Sequence, residues 1–333
     1  MKKSLLALAV LGAFAASAQA QTSITIYGSF DAGVRHSSNV NAAGDDRLTM
    51  GSNGTFNSNR IGFRGVEDLG GGLKARFNLE TGFNSGTGAL DAANTLFNRT
   101  ASVGIGSNWG WVDFGRQYTN AFQTIAAYDP LSYKYPAITP AVGSTAGTRY
   151  NNDIKYTGTF GPVTARAEYA LGEVAGSTSN GASTSIAGSY SDGPLAVGAA
   201  YTQRNDAAGL DTDHWTVGGA YKFGPARVSA GYVNQEAEVA ATTTEAKTRW
   251  TWIGLNYAIS PAVELTGAYY KTKLSGTSTG DRDFIILAGT YALSKRTNLY
   301  AAYDHAKNDG AVRTTQFGQS KQNGISVGMN HLF

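Results

Sequence analysis

The feature that most constrains this chain is alternation. Apolar and polar residues trade places with a period of two, segment after segment, from near residue 22 to the last residue. In Ile24-Thr25-Ile26-Tyr27-Gly28-Ser29-Phe30-Asp31-Ala32-Gly33-Val34-Arg35, the residues Ile24, Ile26, Phe30 and Val34 share one face, while Thr25, Ser29, Asp31 and Arg35 share the other. Leu73-Lys74-Ala75-Arg76-Phe77-Asn78-Leu79-Glu80 repeats the pattern more cleanly. Successive side chains of a strand point to opposite sides, so each segment has one greasy face and one wet face. About sixteen such segments can be marked, the first near 22–36 and the last near 321–333, and no helical period competes over long stretches.

The connections between segments alternate in length. Short ones carry glycine or proline: Asp68-Leu69-Gly70-Gly71, Phe160-Gly161-Pro162, Asp192-Gly193-Pro194, Phe223-Gly224-Pro225 and Ser260-Pro261. These suit tight reversals. Long ones are polar, among them 37–57, 84–96, 173–182 and 308–320. Short turns at one end and long loops at the other are the pattern of a closed membrane barrel, with the short turns on the periplasmic side. Residues 117–149 make the longest connection, and a loop of that size is usually functional.

Charge decides what each face meets. Arg60, Arg64, Lys74, Arg76, Glu80 and Arg166 sit in mid-segment on the polar face, more charge than a packed sandwich core can bury. The other face is apolar and small, and many segments end in aromatics such as Tyr156, Tyr201, Tyr221, Tyr269, Tyr291 and Tyr303, as the two lipid interfaces of a barrel favour. Lipid tolerates no open sheet edge, because each unpaired backbone group costs several kcal/mol there. The first segment must therefore pair with the last. Overall, charged residues are 15% of the chain, well below the roughly 25% of soluble domains.

The amino terminus reads as an export signal. Met1-Lys2-Lys3 is a basic start, Leu5 to Ala16 is apolar, and Ala18-Gln19-Ala20 fits the small-x-small cleavage pattern. Residues 1–20 are expected to be a signal peptide and 21–333 a single barrel. The chain has no cysteine, which excludes disulfides, thiolate metal sites and cysteine nucleophiles. The histidines His36, His214, His305 and His331 are dispersed, neither GxSxG nor HExxH occurs, and the glycines around Gly70 lack a following Gly-Lys-Ser/Thr. No enzyme, cofactor, metal centre or nucleic-acid partner is expected.

Several stretches resemble one family. Ile24-Thr25-Ile26-Tyr27-Gly28 is similar to the first strand of the general diffusion porins of Gram-negative outer membranes, of the type found in beta-proteobacteria and Neisseria. Ser58-Asn59-Arg60-Ile61-Gly62-Phe63-Arg64-Gly65-Val66-Glu67-Asp68-Leu69-Gly70 resembles their second hairpin, and Val112-Asp113-Phe114-Gly115-Arg116-Gln117 the approach to their long third loop. The chain ends Val327-Gly328-Met329-Asn330-His331-Leu332-Phe333, and a terminal phenylalanine looks like the assembly signal of outer-membrane barrels. The resemblance implies an all-β, 16-stranded antiparallel transmembrane barrel in the outer membrane, assembled as a homotrimer. Its implied partners are outer-membrane lipid and lipopolysaccharide, periplasmic chaperones, the barrel-assembly machinery, and the small solutes and inorganic ions that pass through. It implies that 117–149 folds into the lumen as a constriction loop.

The candidate filter follows from charge. Alternation sets Arg60 and Arg64 on one face of a strand and Lys74 and Arg76 on one face of the next. Arg35 and Arg116 are candidates to join them, with the facing of Arg116 left open by the neighbouring Gly115. On the loop, Asp129 and Lys134 are expected to reach water, Asp129 as the acid opposing the basic wall. The loop holds one acid between 117 and 149, so the reading favours an anion preference in a water-filled diffusion channel. A more specific organic-anion channel and a plugged, non-conducting surface barrel are the alternatives.

Overall fold

The computed structural model describes residues 23–51, 53–240 and 244–333. The proposed signal peptide lies outside the described residues. All the wall strands pair antiparallel with their neighbours in one sheet, and the sheet closes on itself. They are β1 (Ser23–Ser37), β2 (Arg47–Met50), β3 (Arg60–Gly70), β4 (Leu73–Gly82), β5 (Thr100–Ser107), β6 (Gly110–Tyr118), β7 (Arg149–Phe160), β8 (Val163–Ala170) and β9 (Ser183–Asp192). The second half runs β10 (Leu195–Asn205), β11 (Asp211–Phe223), β12 (Ala226–Ala237), β13 (Ala246–Ser260), β14 (Val263–Gly276), β15 (Gly280–Ala292), β16 (Thr297–Asn308) and β17 (Lys321–Leu332).

Sixteen of these strands make the wall expected from the alternation, and β2 is the addition. The lower half of β1 pairs with β3 from Ser23↔Val66 to Ser29↔Arg60, while its upper end pairs with β2 from Val34↔Met50 to Ser37↔Arg47. Residues 37–57, read from sequence as one polar loop, thus contain a four-residue strand that continues the edge β3 leaves. Four residues are too few for a period-two signal to stand out. Between β2 and β3 the chain dips into the barrel, where Gly54, Thr55, Phe56 and Asn57 are buried.

Closure rests on β1 and β17, in register from Ser29↔Leu332 to Ser37↔Gly324. The last residue completes it. Gly28 N–H donates to the Phe333 carbonyl at 3.0 Å, and Phe333 N–H donates back to Gly28 at 3.2 Å. A Cβ on Gly28 would lie 2.3 Å from the Phe333 ring, so glycine at this position makes room for the terminal aromatic.

Three turns repeat one solution. Gly161-Pro162, Gly193-Pro194 and Gly224-Pro225 are two-residue hairpin loops joining Phe160 to Val163, Asp192 to Leu195 and Phe223 to Ala226. The glycines have φ of +59°, +52° and +56°. That is the first central position of a type II′ turn, which glycine occupies without a Cβ clash. Each proline lacks an N–H, and its carbonyl accepts from the adjacent hairpin, as Pro194 does from Lys222 at 2.9 Å.

Alternation sorts the side chains as read. Ile24, Ile26, Phe30 and Val34 are exposed on the outer wall. Ser29 and Asp31 are buried on the inner one. We expect Gly28→Leu to displace the Phe333 ring, cost about 1–3 kcal/mol by overpacking, and lower the yield of folded barrel. Mobility of unheated against heated protein in detergent gels measures it; unchanged folding yield would refute the role given to this contact.

Candidate functional site

The site is the lumen. Between β6 and β7 the chain leaves the wall at 119–148, slightly inside the expected 117–149, and folds against the inner surface of β8–β16. Its helices are short, α1 (Asn120–Ile125) and α2 (Pro140–Gly143), with Thr119 capping the first through its hydroxyl. Pro140 opens the second, where its missing N–H removes no helical bond.

Donors on the wall hold the loop by its carbonyls in succession. Arg227 donates to Ala127 at 2.6 Å, Trp252 Nε1 to Tyr128 at 3.1 Å and Asn256 to Pro130 at 2.8 Å. At the root, the N–H of Asn120 donates to Glu168 at 3.0 Å, and Lys155 bonds the carbonyl of Tyr118 while pairing with Glu168 at 2.8 Å. Further along, His214 Nε2 donates to the Ser144 carbonyl at 2.8 Å. The tip meets the segment between β2 and β3: Tyr135 N–H donates to Phe56 at 2.8 Å, and the two rings meet edge to face at 5.3 Å.

Under the loop lies an apolar core inside the barrel. Tyr128, Tyr135, Trp252, Tyr270, Phe284 and Ile286 are buried together. Each is worth roughly 1.5–3 kcal/mol of burial, more than a neutral hydrogen bond at about 0.5–1.5 kcal/mol. Packing therefore does most of the holding, and the hydrogen bonds set the path. The loop residues Ile125, Tyr128, Tyr133 and Tyr135 pack against the inner wall, as their apolar content in the sequence suggests, whereas the sequence reading did not mark the wall side of this core. Its signal was the failure of alternation: Phe284-Ile285-Ile286-Leu287 and Trp250-Thr251-Trp252-Ile253 are apolar on both faces, because lipid covers one and the loop covers the other.

Asp129 belongs to this core and does not face the bore as expected. It is 0% exposed, accepting from the Tyr270 hydroxyl at 2.6 Å and the Tyr133 N–H at 2.7 Å. Burial pushes its carboxyl above the usual range, against those two donors and the nearby Arg227. Lys134 lies over the Phe56 ring at 5.2 Å, and burial, reinforced by Arg60, pushes its ammonium down to about 8.

With β8–β16 covered, the open part of the bore runs along β3–β7. Arg64, Arg76, Asn78, Ser102, Gln117 and Gln123 line a recess of about 470 Å³ there. Arg60 and Arg64 on β3 and Lys74 and Arg76 on β4 all face inward, as alternation required, in register with Gly82, Asn78, Asp68 and Val66 respectively. Their partners differ. Arg76 makes a bidentate pair with Asp113, with its Nε at 2.7 Å, and lies over the Trp111 ring at 4.1 Å. Arg60 stands 3.8 Å from Glu80, while Arg99 holds the same carboxylate at 2.6 Å. Arg35 sits apart, paired with Asp304 at 2.6 Å. Arg64 and Lys74 are exposed to the lumen and form no ion pair among the described residues; Arg64 lies over the Tyr27 ring at 5.1 Å.

Arg116 leaves the group. It is in register with Ala101, on the face of Val103 and Ile105 that points outward, and it bonds the Asn98 carbonyl at 2.7 Å and Asn151 at 2.5 Å. The alternation runs unbroken through Gly115 in the pairing with β5, so Arg116 shares the outward parity of Val112 and Phe114. Inward cations beyond the expected filter include Arg99, Lys155, Arg204, Lys222, Arg227 and Arg282, and Arg166 faces inward as its parity gave. Parity alone would have found most of them. Along the edge of the loop, Tyr118, Phe122 and Tyr133 stack at 4.5 and 4.1 Å, and Arg99 and Arg149 both donate to the Tyr118 hydroxyl at 2.8 Å.

Removing the Asp129 carboxylate leaves the Tyr270 hydroxyl and Tyr133 N–H buried without an acceptor, at about 1–3 kcal/mol each. Asp129→Ala should therefore speed amide exchange at Tyr133 by roughly tenfold or more while the wall amides keep their protection; exchange unchanged at Tyr133 would show that the loop does not depend on this anchor.

Known proteins share this architecture and sequence. The sequence pattern of a family described as Gram-negative porin matches residues 7–311. An outer membrane porin protein of Bordetella pertussis is 32% identical over the full length of both chains, and outer membrane porin protein 32 of Delftia acidovorans is 34% identical, again over all of both. A solved structure described as an anion-selective porin from Comamonas acidovorans superposes with a TM-score of 0.79 at 29% identity, covering 94% of this chain and 100% of that one. An inward-facing ionic wall, a loop packed inside a closed sixteen-stranded barrel and these likenesses agree: the chain belongs to the Gram-negative porin family and forms a diffusion channel in the outer membrane.

Proposed function

We propose that the channel prefers anions, and that residues 119–148 form its constriction. One observation carries the reading. The inward carboxylates at mid-depth are spent on structure, whereas many inward cations are not. Asp31, Glu80, Asp113, Asp153, Glu168 and Asp304 are all buried, at most 6% exposed. Glu80, Asp113, Asp153, Glu168 and Asp304 have a cation within ion-pair distance, and Asp31 accepts from the N–H groups of Thr55, Phe56 and Asn57 and from the Tyr300 hydroxyl. Arg64, Lys74, Arg204 and Lys222 are exposed and make no ion pair among the described residues. The exposed inward acids, Asp68 and Glu264, lie toward the short-turn rim at the level of Lys74 and Lys222, so the four bases outnumber the two acids.

A permeating ion therefore meets a lumen whose accessible fixed charge is positive. In a narrow, low-dielectric bore such charge concentrates anions and repels cations. The description of the Comamonas acidovorans structure as anion-selective supports the same preference. The homotrimer implied by the family resemblance has support in the outer wall. The outward tyrosines run from Tyr156 on β7 to Tyr303 on β16, while β1–β3 present Val34, Leu48 and Met50 up to the long-loop rim, a surface suited to a subunit seam.

Reversal potentials in a salt gradient across planar bilayers test the preference. The wild type should favour chloride over potassium, and Arg64→Gln with Lys74→Gln should lower that ratio by roughly the several-fold expected of two accessible charges. Cation preference in the wild type would sink the proposal. The pH dependence has a definite sign. Lys134 loses its proton as pH rises through about 8, so the positive field falls. Anion preference should decline between pH 7 and 9, and Lys134→Met should flatten that decline.

A further inference from the structure

A cleft lies under the loop on its short-turn side, across the barrel from the basic recess. Residues 130–135 roof it and β11–β15 form its floor, around a volume of about 530 Å³. The floor residues fall in one inward row near the short turns. Lys222 is in register with Arg227, Arg227 with Asn256, Asn256 with Thr266 and Thr266 with Ala288. Glu264 stands two residues nearer the rim, in register with Ala258 and Thr290. Lys222 and Glu264 are exposed, so the cleft opens to the lumen.

The charges in the cleft are of both signs and are held apart. Arg227 spends one nitrogen on the Ala127 carbonyl at 2.6 Å and another on Asn256 at 3.4 Å, which fixes its guanidinium. Glu264, two strands away, is close enough for its charge to act on Arg227. Even so, Arg227, Lys222 and Glu264 form no ion pair among the described residues. Lys134, the third base, lies over the Phe56 ring at 5.2 Å. The other acid nearby, Asp129, is buried behind the loop and occupied by Tyr270 and Tyr133. One cavity is thus lined by one unpaired acid and three bases.

Beside these charges the lining is apolar. Leu131 of the loop and Ala288 of the wall are buried there and make a ledge one strand beyond Glu264. Asn256 fixes the loop over it, donating to the Pro130 carbonyl and to the Thr266 hydroxyl at 2.8 Å each. A dianion would satisfy the bases and meet Glu264 as a like charge, while a cation would do the reverse. A zwitterion satisfies both signs. In an α-amino acid the carboxylate, the ammonium and the side chain all leave from one carbon, which matches two opposite charges beside a ledge.

We propose that this cleft binds α-amino acids with apolar side chains, the carboxylate at Lys222 and Arg227, the ammonium at Glu264 and the side chain over Leu131 and Ala288. A field that concentrates anions gives no advantage to a solute without net charge, whereas a site that takes both charges does. The inference rests on the reading of 119–148 as a constriction in an open channel, and not on the sign of the channel's selectivity.

Titration of single-channel current block in planar bilayers, with the full-length refolded barrel in potassium chloride, tests this. The probes are L-leucine, N-acetyl-L-leucine without the ammonium, L-leucinamide without the carboxylate, and glycine without the side chain. Leucine should block saturably and bind more tightly than each of the others. The difference should be roughly two- to fivefold for each lost ionic contact and roughly tenfold against glycine. Glu264→Gln should erase the advantage of leucine over N-acetyl-leucine, and Lys222→Gln should shrink its advantage over leucinamide. The wild-type series decides the matter even where a variant does not refold. Absence of saturable block by leucine, N-acetyl-leucine binding as tightly as leucine, or variants that leave the order of the probes unchanged would each overturn the proposal. Anion preference without leucine block would remove this site alone, and cation preference with the expected probe order would remove the anion reading alone.

Discussion

Everything in this molecule follows from the cost of an unpaired backbone group in hydrocarbon. Each costs several kcal/mol, so a strand in lipid needs a partner on both sides. The sheet must close, and its ends must meet in register. Here that burden falls on β1, which serves β17 along its upper length, β3 along its lower length and β2 at the top. Phe333 and Gly28 complete the ladder at the lower edge.

Once the wall is closed, the two faces become chemically independent. Lipid dictates the outer parity and leaves the inner one free to carry charge. The inner parity is then divided by the loop. Over β10–β16 it turns apolar, because Trp252, Tyr270, Phe284 and Ile286 pack under residues 119–148. Over β3–β7 it stays ionic and meets the open bore. The loop thereby chooses which part of the wall a solute meets.

The same division explains how the lumen comes to have a net accessible charge. Carboxylates are short and accept several hydrogen bonds, so they fit as buried anchors: Glu168 for the loop root, Asp129 for its middle, Asp31 for the segment between β2 and β3. Arginine and lysine are long, and their heads extend into the bore even where their stems lie on the wall. Asp31, Glu80, Asp113, Asp153, Glu168 and Asp304 are buried in this way, while Arg64, Lys74, Arg204 and Lys222 stay exposed.

Much of this was legible in the sequence. Alternation gave the strand count, the facing of Arg60, Arg64, Lys74 and Arg76, and the lipid face of Ile24 and Phe30, because strand parity is a local property of the backbone. Alternating connection lengths gave the two rims, and Gly161-Pro162 and its two repeats gave the turns. What parity cannot express is which distant residue stands opposite. Whether Arg76 is free or bound depends on Asp113, thirty-seven residues away. Whether Asp129 meets water or Tyr270 depends on a contact across 141 residues. The facing of Arg116 shows only once its register with Ala101 is known. The sequence by itself thus determined a closed barrel with an ionic interior. Only the tertiary structure decided which charges are spent in pairs and which remain for the solute, since desolvation and pairing are set by neighbours that the loop and the closure bring together.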